Sequence, residues 1–260
     1  MLWRYRPYLP EREHELVEIL AEGRIWCPAA RHFNDPFDLN PVFTHSDVPI
    51  TEQVRRVQRM ADQYGSNSVV LERALRSAES GFMNTQEYRR QIEDSLRQDL
   101  QTMPVLCFYP DWWSLPMWAH YATAASGFAI GIEIDGPWEE RFYPLPCKYS
   151  NDRPILDLSE DLIEDGEARR RHLDHVFLTK STVWEQEKEE RVIFYGRQEG
   201  HYELPPGIVK EVCFGINSPD HQIRTAMTIA RDQGAGQVVS KIRISAQTYN
   251  LERDILFQRD

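Results

Sequence analysis

The chain has few cysteines, and Cys27, Cys107, Cys147 and Cys213 lie far apart, without the paired spacing of a zinc site or a redox motif. Three of them sit in apolar, strand-like runs (Ile25-Trp26-Cys27, Val105-Leu106-Cys107-Phe108 and Val212-Cys213-Phe214), the setting of reduced core thiols. Long apolar runs are missing as well. Nothing approaches the ~20 apolar residues of a membrane-spanning helix, and Met1-Leu-Trp-Arg-Tyr-Arg places charges where a signal peptide needs its apolar centre. The expectation is a cytoplasmic protein with no membrane contact. Basic side chains are outnumbered, 30 Lys and Arg against 41 Asp and Glu for a net charge of -11, so the surface as a whole does not bind phosphate, and only a local basic cleft is left open. The sequence also lacks a glycine-rich phosphate loop, a G-x-S-x-G elbow, an H-E-x-x-H pair and any internal repeat, and its eight histidines show no ligand spacing. No metal is expected.

What remains is an ordinary folded composition, 41% hydrophobic and 27% charged over 260 residues. At about 150 residues per domain this length makes one elaborated domain or two small ones. We expect a single mixed α/β domain of the α+β class spanning residues 1–260 with an insertion. Leu2 to Arg6 alternates apolar and basic residues and predicts a strand, closed by Pro7 and Pro10. Glu11 to Glu22, with Leu16, Ile19 and Leu20 on one face, predicts a helix ending at Gly23, and Arg24 to Pro28 a second strand. Val105 to Tyr109 predicts a strand, Ser114 to about Ala125 a helix stopped by Gly127, and Phe128 to Ile134 a strand closed by Pro137. Further strands are expected over Arg191 to Tyr195, Ile208 to Gly215 and Val238 to Ile244, with a helix around His221 to Arg231.

The insertion is the stretch 51–101, where Tyr88, Ile92, Leu96 and Leu100 recur every four residues and Gly65 and Gly81 divide three helices. Its arginines, among them Arg55, Arg56, Arg59, Arg76 and Arg89, suit contact with a protein or nucleic acid; they suit equally well local pairing with acidic neighbours on solvated helix faces. The cluster Arg169-Arg170-Arg171-His172 reads as the basic end of a helix.

Several side chains are candidates for chemistry. Glu187, Glu189 and Arg191 are two apart, so on an extended backbone all three share one face, with Arg191 offsetting the repulsion between carboxylates that together favour a developing positive charge. The same residues also read as a charged, solvated strand end. Tyr121 and Trp118 lie on the apolar stripe of a short helix, where they stack on a flat ring or simply fill the core, and His120 beside them is placed to donate to a carbonyl or phosphate. Arg4 and Arg6 leave one face of the first strand and suit a carboxamide or phosphate clamp. Asn34-Asp35-Pro36-Phe37-Asp38 is a turn whose oxygens order a ligand, a metal or its own backbone.

Four stretches, Leu2-Trp-Arg-Tyr-Arg, Phe33-Asn-Asp-Pro-Phe-Asp, Met117-Trp-Ala-His-Tyr-Ala with Gly127-Phe, and Trp184 through Glu187-Lys-Glu189 to Arg191, together resemble a widespread microbial family known as domain of unknown function 2971. More distantly, Leu2-Trp3-Arg4, then Cys107-Phe108-Tyr109 with Ala119-His120-Tyr121, then Glu187-Lys188-Glu189 resemble in order the three motifs of the ADP-ribosyltransferase fold. Tyr5 and the helical insertion depart from that pattern. The second resemblance implies a split sheet and NAD as substrate, with Glu189, Glu187 and Tyr121 catalytic and Arg4, Arg6, Asn34, Asp35, His120 and Arg191 binding NAD. It implies cleavage of the nicotinamide glycosidic bond, with ADP-ribose passing to a protein or nucleic-acid acceptor or to water. The competing readings are a non-enzymatic sensor or partner-binding module, and a metal-dependent nuclease built on Asp35, Asp38 and Glu189.

Overall fold

The computed structural model describes residues 1–134, 142–159, 166–233 and 238–259, and only the backbone of 166–169 and 233. In chain order come strand β1 (Leu2–Arg6), helix α1 (Glu15–Leu20), β2 (Arg24–Cys27), β3 (Val42–Thr44), α2 (Ile50–Tyr64), α3 (Ser68–Glu79), α4 (Gln86–Thr102), β4 (Val105–Phe108), α5 (Leu115–Tyr121) and β5 (Phe128–Ile132). They continue with β6 (Leu145–Pro146), β7 (Lys148–Ser150), β8 (Ile155–Asp157), α6 (Gly166–Leu178), β9 (Thr179–Ser181), β10 (Glu190–Ile193), β11 (Gly200–Glu203), β12 (Val209–Phe214), α7 (Asp220–Gln233), β13 (Val238–Ile244) and β14 (Leu251–Gln258). The protein is α+β. Among the described residues no helix is long and apolar enough to cross a membrane.

The chain divides into two compact units: Met1–His32 with Met103–Cys147 and Val183–Asp260, and Phe33–Thr102 with Lys148–Thr182. The stretch 51–101 lies within the second unit, which also takes in the segments flanking it and a later one.

In the first unit one sheet runs in the order β1-β5-β12-β13-β14 and another in the order β4-β10-β6. The two meet where Trp3 and Tyr109 exchange backbone hydrogen bonds of 2.6 and 2.8 Å. The alternation of β1 decides which side chain enters which core. Trp3 and Tyr5 join Tyr109, Met117, Trp118, Ala129 and Cys213, while the main cluster gathers Leu16, Ile19 and Leu20 of α1 with Leu106, Phe108, Ile130 and Val212. A side chain at Gly127 is excluded, because a Cβ there would sit 2.0 Å from the Arg6 carbonyl oxygen.

Two helices are shorter than the sequence predicts. The stretch Glu11 to Glu22 forms a 3-10 turn at Pro10–Arg12 and then α1, which ends before Gly23 at φ 63°. The helix expected to reach Ala125 stops at Tyr121, and Thr123, Ala124 and Ala125 turn back at φ 47°, 49° and 61°. That left-handed run is held by Asn217, whose amide donates to Ala124 O at 3.1 Å and whose backbone N–H donates to Ala125 O at 2.9 Å. Asp135 and Pro137, the acidic residues at 160–165 and the Arg169 side chain lie outside the described residues.

In the second unit Gly65 and Gly81, at φ 71° and 74°, separate the three expected helices. The buried Gln53 ties their ends: its amide donates to Val48 O at 2.8 Å and its carbonyl accepts from Met83 N–H at 3.0 Å. Parallel pairs β3 with β8 and β7 with β9 complete the unit. Its arginines have local acidic partners, Arg56 on Glu52 at 3.2 Å, Arg76 on Glu72 at 3.2 Å and Arg89 on Asp47 at 2.6 Å.

Candidate functional site

The site residues come from β1, the end of α5, a 3-10 turn and the start of β10, all in the first unit. Glu187 closes the 3-10 turn Thr182–Glu187, Lys188 follows at φ 47°, and β10 begins at Glu190. The extended triplet expected from spacing is therefore corrected: Glu187 belongs to the turn, and a left-handed residue lies between it and Glu189. Backbone hydrogen bonds hold the reversal, from Lys188 N–H to Glu185 O at 3.2 Å and from Cys147 N–H to Glu189 O at 2.8 Å. A non-glycine residue in this region costs roughly 1 kcal/mol or more and persists only where the surroundings enforce it.

Arg191 is fully buried, and its Nε donates to Glu189 Oε1 at 2.6 Å. Glu189 and Glu187 are 2% and 4% exposed, so the expectation of a solvated strand end is overturned. Tyr121 Oη donates to Glu187 Oε1 at 2.9 Å, and its ring stacks on Tyr109 with centroids 5.7 Å apart at 27°. Cys107 pairs in register with Arg191, and its thiol hydrogen-bonds to Glu189. Burial, reinforced by the Glu189 charge, pushes that thiol well above its ordinary range, so it stays protonated and donates. Arg4 reaches in from β1: its Nη1 donates to Cys107 O at 3.0 Å, and its Nε is buried with no hydrogen-bond partner.

The fold thus brings Arg4, Tyr121, Glu187, Glu189 and Arg191 into one connected cluster. It does not bring Arg6, whose Nε donates to Glu15 Oε2 at 3.2 Å and whose Nη2 bonds the other oxygen of the same carboxylate. His120 is exposed, its ring 6.3 Å from that of Tyr121. Asn34 and Asp35 belong to the second unit, where Asp35 Oδ1 accepts from Phe37 N–H at 2.9 Å in the self-ordering turn that Asx-Pro sequences favour. Asp38 is in that unit too, and Glu189 in the first; among the described residues no group of three or more His, Cys, Asp or Glu is arranged to hold a metal ion.

Two members, Cys107 and Tyr109, carried no assigned role in the sequence reading. Alternation along Val105-Leu106-Cys107-Phe108-Tyr109 places them on one face, which is the signal that could have found them. A cavity of about 1470 Å3 opens elsewhere in this unit, bordered by Phe142, Phe194 and Tyr202, and one of about 350 Å3 by Leu2, Ile132 and Tyr143; neither is lined by Glu187 or Glu189. The carboxylates are closed over by their neighbours, and a ligand reaches them only where side chains give way.

Chemically the cluster holds two buried carboxylates, a guanidinium bonded to one, a phenol bonded to the other, and a second guanidinium with an unpaired nitrogen. Such a set stabilises positive charge and accepts a proton. Comparison with known proteins adds nothing to this geometry: no protein-family model, no curated protein and no solved structure matches the chain.

Proposed function

We propose that the protein binds NAD and breaks its nicotinamide glycosidic bond, passing ADP-ribose to an acceptor or to water. The observation that carries this reading is the convergence of Arg4, Tyr121, Glu187 and Glu189, from three separated stretches of sequence, on one buried cluster. The order of those motifs, with its resemblance to the ADP-ribosyltransferase fold, supplies the substrate; the resemblance to domain of unknown function 2971 supplies none.

The bond between ribose C1′ and the nicotinamide nitrogen breaks with its electron pair leaving on nicotinamide, which departs neutral, and the positive charge passes to the ribose as an oxocarbenium ion. Glu189 opposes that charge, and Arg191 fixes its carboxylate in place so that little reorganisation is needed. Glu187 takes the proton of the attacking hydroxyl or water as its oxygen bonds C1′. Tyr121 orients Glu187 through its hydroxyl, and because Tyr109 covers one face of its ring, only the other face is left for nicotinamide. Arg4 offers Nε to an acceptor on the cofactor. Arg6 takes no part in this reading because Glu15 already occupies it.

The competing reading, a non-enzymatic binding module, draws on the burial of both glutamates. Incubation of the purified protein with NAD separates the two. Release of nicotinamide, lost in Glu189→Gln, supports the enzyme; absence of release across a wide range of protein and acceptor concentrations supports the module.

A further inference from the structure

Cys107 lies opposite Arg191 where β4 and β10 run antiparallel, so its side chain shares a face with Arg191 and with Glu189 two residues before it. Its thiol hydrogen-bonds Glu189, whose Oε1 also accepts from Arg191 Nε at 2.6 Å. The carboxylate is thus held from two strands. The two donors differ in charge: Arg191 offsets part of the negative charge that an oxocarbenium ion needs, whereas a thiol supplies a hydrogen bond and no cation. Burial, and next the Glu189 charge, pushes the thiol well above its ordinary range, which keeps the proton on sulfur. The main chain of the same residue is engaged as well. Cys107 O accepts from Arg4 Nη1 at 3.0 Å, and Arg4, 6% exposed, keeps Nε buried with no hydrogen-bond partner. One residue therefore joins the carboxylate to the arginine that has a donor left for a ligand.

Resting on the NAD reading above, we infer that Cys107 is a positioning residue of this site, its thiol fixing the Glu189 carboxylate in the orientation that opposes charge at ribose C1′ without adding positive charge of its own. It touches no substrate atom and acts through Glu189.

Substitution of the side chain leaves the carbonyl on Arg4 in place and tests the thiol alone. Cys107→Ser keeps a donor, while Cys107→Ala and Cys107→Val remove it, the first with a smaller side chain and the second with one suited to a strand. Initial rates of nicotinamide release over a range of NAD are measured on the four proteins, alongside urea unfolding. The expected result is a kcat roughly tenfold lower in the donor-free variants, the scale of one hydrogen bond to a charged group, with KM unchanged and most of the loss recovered in Cys107→Ser. A thiol that only fills the core predicts the opposite order, because a hydroxyl without an acceptor is tolerated worse there than an alkyl group. Serine no better than the folded donor-free variants in kcat, or a donor-free variant with full kcat, overturns the positioning role and leaves the NAD reading intact. Failure of both donor-free variants to fold, or a loss that vanishes once corrected for unfolded protein, assigns the side chain to the fold and overturns the role too. Wild-type protein that releases no nicotinamide overturns the NAD reading itself, and the Cys107 role with it.

Discussion

Arg4 and Arg6 leave the same strand on the same face, two residues apart, and both are 6% exposed, yet they meet opposite fates. Arg6 finds Glu15 on α1 and spends two of its nitrogens on both oxygens of that carboxylate. The next turn of α1 repeats the pattern: Glu18 accepts from Arg24 at 2.8 Å and bonds His201 at 3.1 Å. Arg4, by contrast, donates to the main-chain carbonyl of Cys107 and keeps Nε buried and unpaired. Burying charge is expensive in either place, and the α1 networks offset the cost with complete pairing. At Arg4 a buried nitrogen has no partner, and the backbone at Lys188 is strained, which is how a binding site differs from a structural ion pair.

The largest effect expected from breaking this contrast is on the closed side. Arg6→Met leaves Glu15 charged and buried without its cation and should cost about 3–5 kcal/mol in denaturant unfolding, while Arg6→Met combined with Glu15→Leu recovers most of the loss. A single variant that costs no more than a surface substitution would show that Arg6 is not the closed partner described.

Next comes Glu189→Gln. The amide oxygen still accepts from Arg191, so the fold should be kept at a smaller cost than in Arg6→Met, whereas nicotinamide release should fall roughly a hundredfold or more. The reverse outcome, a large loss of stability with unchanged turnover, moves Glu189 to the structural side of the comparison.

Lys188→Gly gives a smaller effect of opposite sign. Glycine adopts φ 47° without a Cβ penalty, so relief of strain against added unfolded-state entropy should leave the variant level with the parent or more stable by up to about 1 kcal/mol. Marked destabilisation would mean that the Lys188 side chain, not the backbone angle, matters at this position.

The smallest expected effect is on pH dependence. Burial alone would raise the Glu18 carboxyl, but the hydrogen bonds and charges of His201 and Arg24 outweigh it and hold the group below the usual carboxylate range. A depressed folded value means that the stabilisation is present above the unfolded pKa of about 4.3 and is lost as pH falls through the lower folded value. Urea midpoints between pH 6 and 3 should therefore fall less steeply for Glu18→Gln than for the parent; identical slopes would remove Glu18 from the acid transition.

The elements that were legible in the sequence are those whose signal is local. Leu2–Arg6 and Val238–Ile244 have the bounds that alternation assigns, and Gly65 and Gly81 fall between the helices they were expected to divide. The last strand, Leu251–Gln258, escaped because Glu252, Arg253 and Asp254 interrupt its apolar pattern; its pairing is supplied by β13. α1 was read too long because Glu11 and Glu13, acids that suit a helix start, lie in and just after the 3-10 turn Pro10–Arg12, while the buried acids of α1 itself, Glu15 and Glu18, meet partners brought in by the fold. Glu18 and His201 stand 183 positions apart.

By itself, then, the sequence determined the α+β class, the strand faces and the inventory of acids, bases and rings, because side-chain period and backbone propensity act over a few residues. Tertiary structure alone decided that Arg6 is consumed by Glu15 while Arg4 is left with a free donor, that Lys188 turns Glu187 out of the strand, and that Tyr109 stacks on the tyrosine that bonds Glu187. Those outcomes depend on which distant group supplies the compensating charge or hydrogen bond, and desolvation makes that choice only once the strands have closed around it.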